Sequence, residues 1–366
     1  MSKITRYVLR QVFLGLIIVA AGLACVLWLT QSLRFIELII SKGLSAGMFL
    51  SLTVLLMPNF LTLVVPIALF ASTLFAYNKL TVDRELIVMR AAGVSHFRLA
   101  KPALMLACVC TGFGYFLTLW VVPDSVRDFR ELEWTVRNDV AGILIQEGAF
   151  NSMGDGLTIF VRERGAAGDL HGILVHDKRR LNKAVTLMAE RGELVRTPSG
   201  ARVLMFNGSR QEVQDDTGQL SMLYFDTYTM ELSNDSETER RFRDARERPL
   251  SDLFNPPDGL NPIDRRRFQV EAHQRLSMPL ASLSFVAVAL AFLLPGGFNR
   301  NGQSGRIFTA IAVMVLMQSA SVGLVNMATQ RLSLIVLLYA NFAVPALIAL
   351  WVVWRAQQFG GRRLGI

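Results

Sequence analysis

The chain has 366 residues, of which 52% are hydrophobic and 18% charged, with a formal net charge of +9 and a mean hydropathy of +0.38. This composition is too apolar for an ordinary soluble enzyme. A net positive charge can indicate a nucleic-acid-binding protein, but the distribution of basic residues along this chain argues against that function. The three cysteines, Cys25, Cys108 and Cys110, all lie in apolar segments, so the polar part of the chain has no disulfide.

Six apolar segments are each long enough to cross a bilayer, which takes ~20 residues. They run approximately over residues 13–30, 48–77, 102–122, 276–298, 307–329 and 334–354. We therefore predict a membrane α + β protein with six transmembrane helices in a 3+3 arrangement and one inserted domain. The predicted divisions are residues 1–123 for helices 1 to 3, 124–270 for the inserted domain and its connector, and 271–366 for helices 4 to 6.

Basic residues flank these segments unevenly. If the N-terminus is cytoplasmic, three basic residues lie in short outer loops: Arg34, Lys42 and Arg331. Thirteen then lie in short cytoplasmic segments: Lys3, Arg6, Arg10, Lys79, Arg84, Arg90, Arg98, Lys101, Arg300, Arg306, Arg355, Arg362 and Arg363. By the positive-inside rule, both termini are cytoplasmic and the inserted domain is external. Much of the net charge is therefore a topology signal.

The inserted domain changes from a helical to a strand pattern. Residues 124–145 have helical spacing and extend the third helix or cap the domain. Short half-alternating runs then predict an antiparallel meander or sandwich, with strands near 157–161, 173–175, 184–194, 203–206 and 220–232. The predicted hairpin loops are 164–169, 198–200 and 215–218, and residues 233–262 are an exposed connector.

The apolar strand positions of this domain have two interpretations. The residues concerned are Phe160, Leu174, Leu204, Leu223 and Phe225. They either form the hydrophobic core of the domain or bury the acyl chains of a lipid, and we favour the core.

No residue pattern predicts catalysis or a metal site. The four histidines have no metal-ligand spacing, and Gln303 stands where a phosphate-binding loop would carry lysine. The apolar segments contain essentially no ionisable side chain, whereas ion-coupled transporters usually carry some near mid-membrane. We therefore predict no catalytic residue, no metal and no cofactor bound by this chain. Any transport would draw energy from a separate partner.

The cytoplasmic loop after the second segment predicts a short amphipathic helix at about residues 81–93. Thr81 is its predicted N-cap and Gly93 its C-terminal stop. An apolar stripe follows at helical spacing, formed by Val82, Leu86 and Met89. Such a helix would fit a groove on an ATPase or, alternatively, lie on the membrane surface.

The layout and this loop together resemble the lipopolysaccharide-export permease family. The sequence Glu85–Gly93, ELIVMRAAG, lies in the second loop, and Glu271–Arg275, EAHQR, enters the fourth apolar segment. The sequence Gln146–Phe150, QEGAF, is similar to the F-type subunit more than to its G-type paralogue. The similarity covers nearly the whole chain, and the layout combined with the loop is what makes it specific.

The resemblance implies a permease subunit of an ABC transporter in the inner membrane of a Gram-negative bacterium. Such a transporter extracts lipopolysaccharide and passes it to a periplasmic bridge. The implied partners are a paralogous G-type permease, a dimeric cytoplasmic ATPase that uses ATP, the periplasmic bridge proteins and lipopolysaccharide itself, with no nucleic acid. The inserted domain would be a β-jellyroll.

Two sets of functional residues are predicted, one from the match of Glu85 and Arg90 to the family's coupling helix and one from the basic residues of the short outer loops. The ATPase-coupling set is Glu85, Leu86, Met89, Arg90 and Gly93. Within it, Glu85 is a lone carboxylate that we expect to pair with a cation on the ATPase. The lipopolysaccharide-binding set is Arg34, Lys42 and Arg331. Their charges suit lipid phosphates, although snorkelling interfacial residues are the alternative.

Acyl chains would need an apolar cavity. The first and fifth segments offer Phe13, Leu14, Leu23, Leu27, Leu29, Ile311, Met314, Leu316 and Met317 as its lining. A rival interpretation of the whole chain is a membrane-anchored sensor or assembly scaffold with an external ligand-binding domain. A sensor usually carries a cytoplasmic signalling domain, and the cytoplasmic segments of this chain are short.

Overall fold

The structure is a computed structural model that describes residues 3–42, 46–141, 147–152, 156–165, 169–178, 183–197, 200–214, 220–231, 244–257, 259–295 and 303–361. Contacts divide the chain into two compact units. The helical unit comprises Met1–Glu37, Ser45–Phe129 and Arg243–Ile366, and the sheet unit comprises Leu38–Leu44 and Arg130–Phe242. Residues 243–270, which the sequence analysis grouped with the external domain, thus group with the helices.

Ten α-helices lie in the described residues: α1 (Lys3–Lys42), α2 (Ala46–Val82), α3 (Glu85–Ala91), α4 (His96–Phe116), α5 (Val122–Ala141), α6 (Leu250–Phe254), α7 (Pro262–Ser277), α8 (Leu280–Leu293), α9 (Ser304–Gln330) and α10 (Ile335–Gly361). Five stretches of the described residues are long and apolar enough to cross a membrane: Lys3–Leu33, Gly47–Val82, His96–Glu133, Ser304–Gln330 and Leu332–Ala356. The pair α7–α8, bent by 45°, makes a sixth if it counts as one span. The predicted membrane helical class is confirmed, with five or six candidate spans.

The third span continues without a break into the polar helix that follows it. A π-helical segment, Leu117–Val121, joins α4 to α5. The predicted extension of the third helix is therefore confirmed as far as Ala141; residues 142–145 lie outside the described part of the chain. Within the same region, a Cβ added at Gly114 of α4 would lie 3.2 Å from the Cβ of Pro279, where α7 and α8 meet.

Helix α8 forms the centre of the helical unit. Its buried residues are Ala281, Ser282, Ser284, Phe285, Val286, Ala287, Val288, Ala289, Leu290 and Leu293. The ring of Phe285 lies edge-on to Phe70 of α2 and to Phe342 of α10, with centroids 6.2 Å apart in each pair. A helix that is hydrophobic all round is a core helix.

Helix α7 brings a charged side chain into this unit. Arg275 is only 5% exposed and pairs with Glu271 at 3.0 Å. Its guanidinium also donates to the backbone carbonyls of Ala245, Arg246 and Arg248. These bonds hold the 3₁₀ turn at residues 245–247 against α7. The described parts of the predicted exposed connector, residues 244–257 and 259–262, are mostly exposed or half-buried, but Ala245, Glu247 and Leu253 are buried.

The sheet unit contains six antiparallel strands in the order β1-β2-β3-β4-β5-β6. They are β1 (Phe150–Ser152), β2 (Leu157–Arg164), β3 (Asp169–Asp177), β4 (Lys183–Thr197), β5 (Gly200–Gln214) and β6 (Leu220–Glu231). The predicted meander is confirmed; most residues of the predicted hairpin loops, 164–169, 198–200 and 215–218, lie outside the described part of the chain. The sequence analysis missed β1, which is only three residues long.

A crease crosses the sheet at one row. Cα pairing skips the aligned residues Arg162, Gly172, Glu190, Asn207 and Asp226 in β2 to β6. Two of them, Gly172 (φ 66°) and Asn207 (φ 53°), have left-handed backbone conformations, which residues with a Cβ rarely adopt. The alternation of buried and exposed positions shifts by one residue across this row. In β3, for example, Leu170 and Ile173 are both buried although they are three residues apart, a spacing that puts side chains on opposite faces of a regular strand.

The crease lets one sheet supply both sides of a core. A single buried cluster contains residues from both sides of the row: Leu157, Ile159, Val161, Leu170, Ile173, Val175, Leu187, Ala189, Val203, Met205 and Met230. Phe160, Leu174 and Leu204, which we expected in the core, alternate with these buried residues and are half-buried. Leu223 is 55% exposed, and of the five expected positions only Phe225 packs against the cluster. The core assignment was therefore wrong for the other four.

Candidate functional site

The predicted loop helix exists but is shorter than expected. It is α3, Glu85–Ala91, and it starts after Arg84, which has a left-handed φ of 60° and makes no side-chain cap. Thr81, the predicted N-cap, instead lies in the last turn of α2 and donates its hydroxyl to the Tyr77 carbonyl at 2.8 Å. Gly93 has φ 81° and its N–H binds the Arg90 carbonyl at 2.9 Å, so the predicted stop is confirmed.

The three residues of the predicted apolar stripe do not lie on one face of the loop helix. Leu86 is 3% exposed, and Met89 packs against the core of the helical unit. Val82 belongs to α2 and is 70% exposed, so its place in the stripe was wrong. The outward face of α3 instead presents Ile87 and Val88. A helix that is apolar on both sides has an outward face suited to a protein partner or a lipid.

Glu85, predicted as a lone carboxylate, has a partner within the chain. The Tyr7 hydroxyl of α1 donates to Glu85 Oε1 at 3.1 Å. The two residues are 78 positions apart in sequence. A carboxylate accepts several hydrogen bonds, so this contact leaves acceptor positions on Glu85 for another donor.

Arg90 makes its observed contact at the opposite end of α3. Its guanidinium donates to the backbone carbonyl of Leu294, directly after α8. Carbonyls at a helix C-terminus lack intrahelical donors, and the negative end of the helix dipole favours a cation there. Burial lowers the pKa of Arg90, but a guanidinium stays protonated at neutral pH. The predicted contact of Arg90 with an ATPase stays a prediction, and the contact seen is internal.

An open groove of about 450 Å³ runs between the start of α1 and α3. Its lining residues are Lys3, Ile4, Tyr7, Asp83, Glu85, Val88 and Met89. We call it the α1–α3 groove. It combines two carboxylates, one ammonium and apolar walls, which is the composition of a protein-docking surface more than of a closed small-molecule site.

The predicted lipopolysaccharide-binding residues lie elsewhere. The exposed Arg331 follows α9, and the guanidinium of Arg266 in α7 donates to the adjacent Gln330 carbonyl at 3.3 Å. The side chains of Arg34 and Lys42 lie outside the described part of the structure. The sequence analysis did not single out Arg266, which lies between the predicted connector, residues 233–262, and the fourth apolar segment. It missed Tyr7 because a tyrosine near an apolar segment carries no signal of its own.

The predicted cavity residues separate by exposure. Phe13, Leu14, Leu29, Ile311 and Leu316 are exposed on the surface of this chain. Leu23, Leu27 and Met314 are partly buried against the core. Met317 is 5% exposed, and its carbonyl accepts a hydrogen bond from the Asn341 amide at 3.0 Å. Met317 is therefore part of the internal packing and not of a cavity wall.

Among the residues that the structure describes, no group of three His, Cys, Asp or Glu side chains could hold a metal ion. The features present are apolar membrane-length helices, a short loop helix beside an open groove, and a separate antiparallel sheet unit. They define a helical membrane protein of the α + β class.

The chain matches the family described as Lipopolysaccharide export system permease LptF/LptG over residues 6–355, and it belongs to that family. It is 27% identical over 352 residues to an uncharacterized protein of Rickettsia prowazekii, covering 95% of this chain and 97% of the relative. It is 24% identical over 212 residues to the lipopolysaccharide export system permease protein LptF of Escherichia coli K12, covering 57% of this chain and 58% of that protein. The LptF of Shigella flexneri gives the same values.

The family resemblance predicted from the sequence is thereby confirmed. The family covers both LptF and LptG, so membership does not distinguish the F-type from the G-type subunit. Membership supports a lipopolysaccharide-export permease role, as a transport component and not as an enzyme. With its apolar helices, it supports a multi-pass protein of the inner membrane.

Proposed function

We propose that this chain is the F-type permease subunit of an ABC transporter that extracts lipopolysaccharide from the inner membrane and passes it to a periplasmic bridge. The observation that carries the proposal is the family match over residues 6–355, which spans the helical and sheet units alike. The similarity of a stretch of the chain to the LptF of Escherichia coli and the sequence Gln146–Phe150 support the F-type assignment. A G-type paralogue completes the permease pair.

The α1–α3 groove and the outward face of α3 receive the ATPase in this proposal. Glu85 offers a carboxylate at the groove, and Ile87 and Val88 offer exposed apolar contacts beside it. Such a mixture of one charge with apolar neighbours suits a partner that brings a cation and an apolar pocket. ATP is bound and hydrolysed by that partner, a dimeric cytoplasmic ATPase, and this chain holds no cofactor.

The topology that goes with this function has six spans, with α7–α8 as the fourth. The uneven distribution of basic residues supports cytoplasmic termini and a periplasmic sheet unit. The α1–α3 groove then faces the cytoplasm, where the ATPase is.

The sheet unit is a β-jellyroll in this proposal, and it continues into the periplasmic bridge through its edge strand β6. Four large side chains of that strand are exposed: Leu220, Met222, Leu223 and Tyr224. Exposed apolar edge strands pair readily with another strand, because their backbone donors and acceptors lack partners on one side.

Arg34, Lys42 and Arg331 are proposed to bind the phosphates of lipopolysaccharide at the outer face. Arg266 lies beside Arg331 through its bond to Gln330 and would reinforce the positive charge there. Charge-assisted bonds from arginine suit phosphate oxygens. Replacing Arg34, Lys42 and Arg331 together by glutamine should reduce lipopolysaccharide-stimulated ATP hydrolysis by the complex. Unchanged stimulation would contradict this assignment.

The central experiment replaces Glu85 by alanine in the complex with its permease partner and ATPase. We expect lipopolysaccharide transfer to bridge proteins to be lost, while the chain still inserts in the membrane. The readouts are lipopolysaccharide transfer from proteoliposomes and retention of the ATPase during purification. A matched control is Glu163→Ala, which removes an exposed carboxylate in β2 of the sheet unit. Normal transfer by the Glu85→Ala complex would refute the proposed coupling.

A further inference from the structure

Helix α3 is bonded at its two ends to two different helices of the same unit. At its start, Glu85 accepts a hydrogen bond from the Tyr7 hydroxyl of α1 at 3.1 Å. At its end, Arg90 donates to the carbonyl of Leu294 after α8. A displacement of α3 therefore acts on both α1 and α8.

These two helices differ in how firmly the unit holds them. Leu293 and Leu294, beside the Arg90 contact, are both 0% exposed, and α8 is buried along its length. By contrast, only 11% of the apolar window of α1 is buried, and Ile4 and Tyr7 at its start are exposed. The Arg90 end of α3 is thus anchored to the packed centre, and the Glu85 end is attached to a helix that buries one face, with Val8, Val12 and Leu16, and exposes the other.

We propose that Tyr7 is a positioning residue that links α3 to α1, so that force applied by the ATPase at Glu85 moves α1. The proposal rests on the proposed function, in which α3 docks on an ATPase. α1 also carries Phe13, Leu14 and Leu29 on its exposed surface. Movement of α1 would therefore displace apolar side chains that face lipid or the second permease.

The chemistry of Glu85 allows both contacts at once. An ionised carboxylate has two oxygens with about four lone-pair positions, and Tyr7 binds one oxygen, Oε1. A cation from the ATPase can bind the other oxygen without displacing the tyrosine hydroxyl. The Tyr7 hydroxyl also restricts the rotamer of Glu85, which orients the carboxylate at the groove before docking.

Two substitutions distinguish the hydrogen bond between Tyr7 and Glu85 from the negative charge by which Glu85 would bind the ATPase. Tyr7→Phe removes the hydroxyl donor and keeps the carboxylate charge. Glu85→Gln keeps a side-chain oxygen that can accept from Tyr7 and removes the charge that would pair with the ATPase. Both are made in the complete complex of the two permeases and the ATPase, reconstituted in proteoliposomes with lipopolysaccharide and bridge protein.

The primary readout is the amount of lipopolysaccharide transferred per ATP hydrolysed. For Tyr7→Phe we expect this ratio to fall about two- to tenfold, the range for the loss of one hydrogen bond. The matched control is Tyr339→Phe, which removes another interhelical hydrogen bond of a tyrosine hydroxyl, the one between Tyr339 of α10 and His273 of α7 at 2.9 Å. The control complex should keep the wild-type ratio.

An unchanged ratio in the Tyr7→Phe complex would overturn the link and leave the proposed function standing. A drop in ATPase retention with an unchanged ratio would also overturn it, because Tyr7 would then act only in docking. For Glu85→Gln we expect weaker ATPase retention. If retention and transfer stayed at wild-type levels in that complex, the proposed coupling at Glu85 would fail, and the link with it.

Discussion

Helices α1 and α8 are both strongly apolar, yet α8 is buried on all sides whereas α1 buries one face and exposes the other. Small residues make up much of the buried length of α8, among them Ala281, Ser282, Ser284, Ala287 and Ala289. Small side chains allow neighbouring helices to approach closely on every side. The exposed surface of α1 carries large side chains instead, including Phe13, Leu14, Ile17, Ile18 and Leu29. Hydropathy therefore identifies a span, but it does not distinguish a helix buried on all sides from one with a large exposed face.

The largest test of this contrast is a matched pair of phenylalanines. Phe285→Ala should remove an α8 side chain that is 0% exposed and packed between two other rings, and Phe→Ala in a core costs about 3–5 kcal/mol. Phe13→Ala on α1, where the side chain is 47% exposed, should cost less than about 1 kcal/mol. Unfolding of the purified chain in detergent measures both. Equal losses would show that α1 is packed as tightly as α8.

A test of intermediate size addresses the bond by which α3 holds α8. Arg90→Ala removes the donor to the Leu294 carbonyl, and a hydrogen bond from a charged group contributes about 1.5–3 kcal/mol. The control is Arg98→Ala, an exposed position on α4, where a change within about 0.5 kcal/mol is expected. Thermal unfolding in detergent compares the two variants. If Arg90→Ala were as mild as the control, the anchor at α8 would be negligible.

The smallest test uses two glycines of α1. The Cβ of an alanine at Gly22 would meet no atom within 4 Å, so Gly22→Ala should raise the free energy of unfolding by about 0.5–1 kcal/mol. Alanine at Gly15 would place its Cβ 3.1 Å from the Cβ of the buried Ser72 in α2, which should offset that gain. Melting temperatures of the two variants should therefore differ, with Gly22→Ala the higher. The reverse order would mean that α1 does not approach α2 closely at Gly15.

Features of the fold that depend on neighbouring residues could be predicted from the sequence, whereas features that depend on contacts between distant residues could not. Hydropathy and length are local properties, so the apolar segments were located correctly. The burial of Arg275 was not predicted, because a hydropathy window counts the residue as polar and does not include the carbonyls near residue 246 that compensate its charge. That compensation comes from residues about 30 positions away and has no local signature.

The strands show a similar limit. Their existence followed from short apolar runs and turn residues, but the buried face did not. At Gly172 and Asn207 the crease shifts the alternation, so a period of two predicts the wrong face on one side of it. In the candidate site, Glu85 could be identified by resemblance, whereas Tyr7 required the fold, since nothing in the sequence near residue 7 points to residue 85.

The bent pair α7–α8 has a consequence for how the protein is made. Helix α8 has 14 residues, and at about 1.5 Å per residue it is ~21 Å long, too short for a bilayer core of ~30 Å. Its extension α7 carries Glu271 and Arg275, whose charges oppose entry into lipid until the carbonyl partners are in place. During synthesis, α2 and α4 precede this pair and both pack against α8. We therefore expect stable insertion of α7–α8 to depend on α2 and α4, which are synthesised earlier and offer it packing partners.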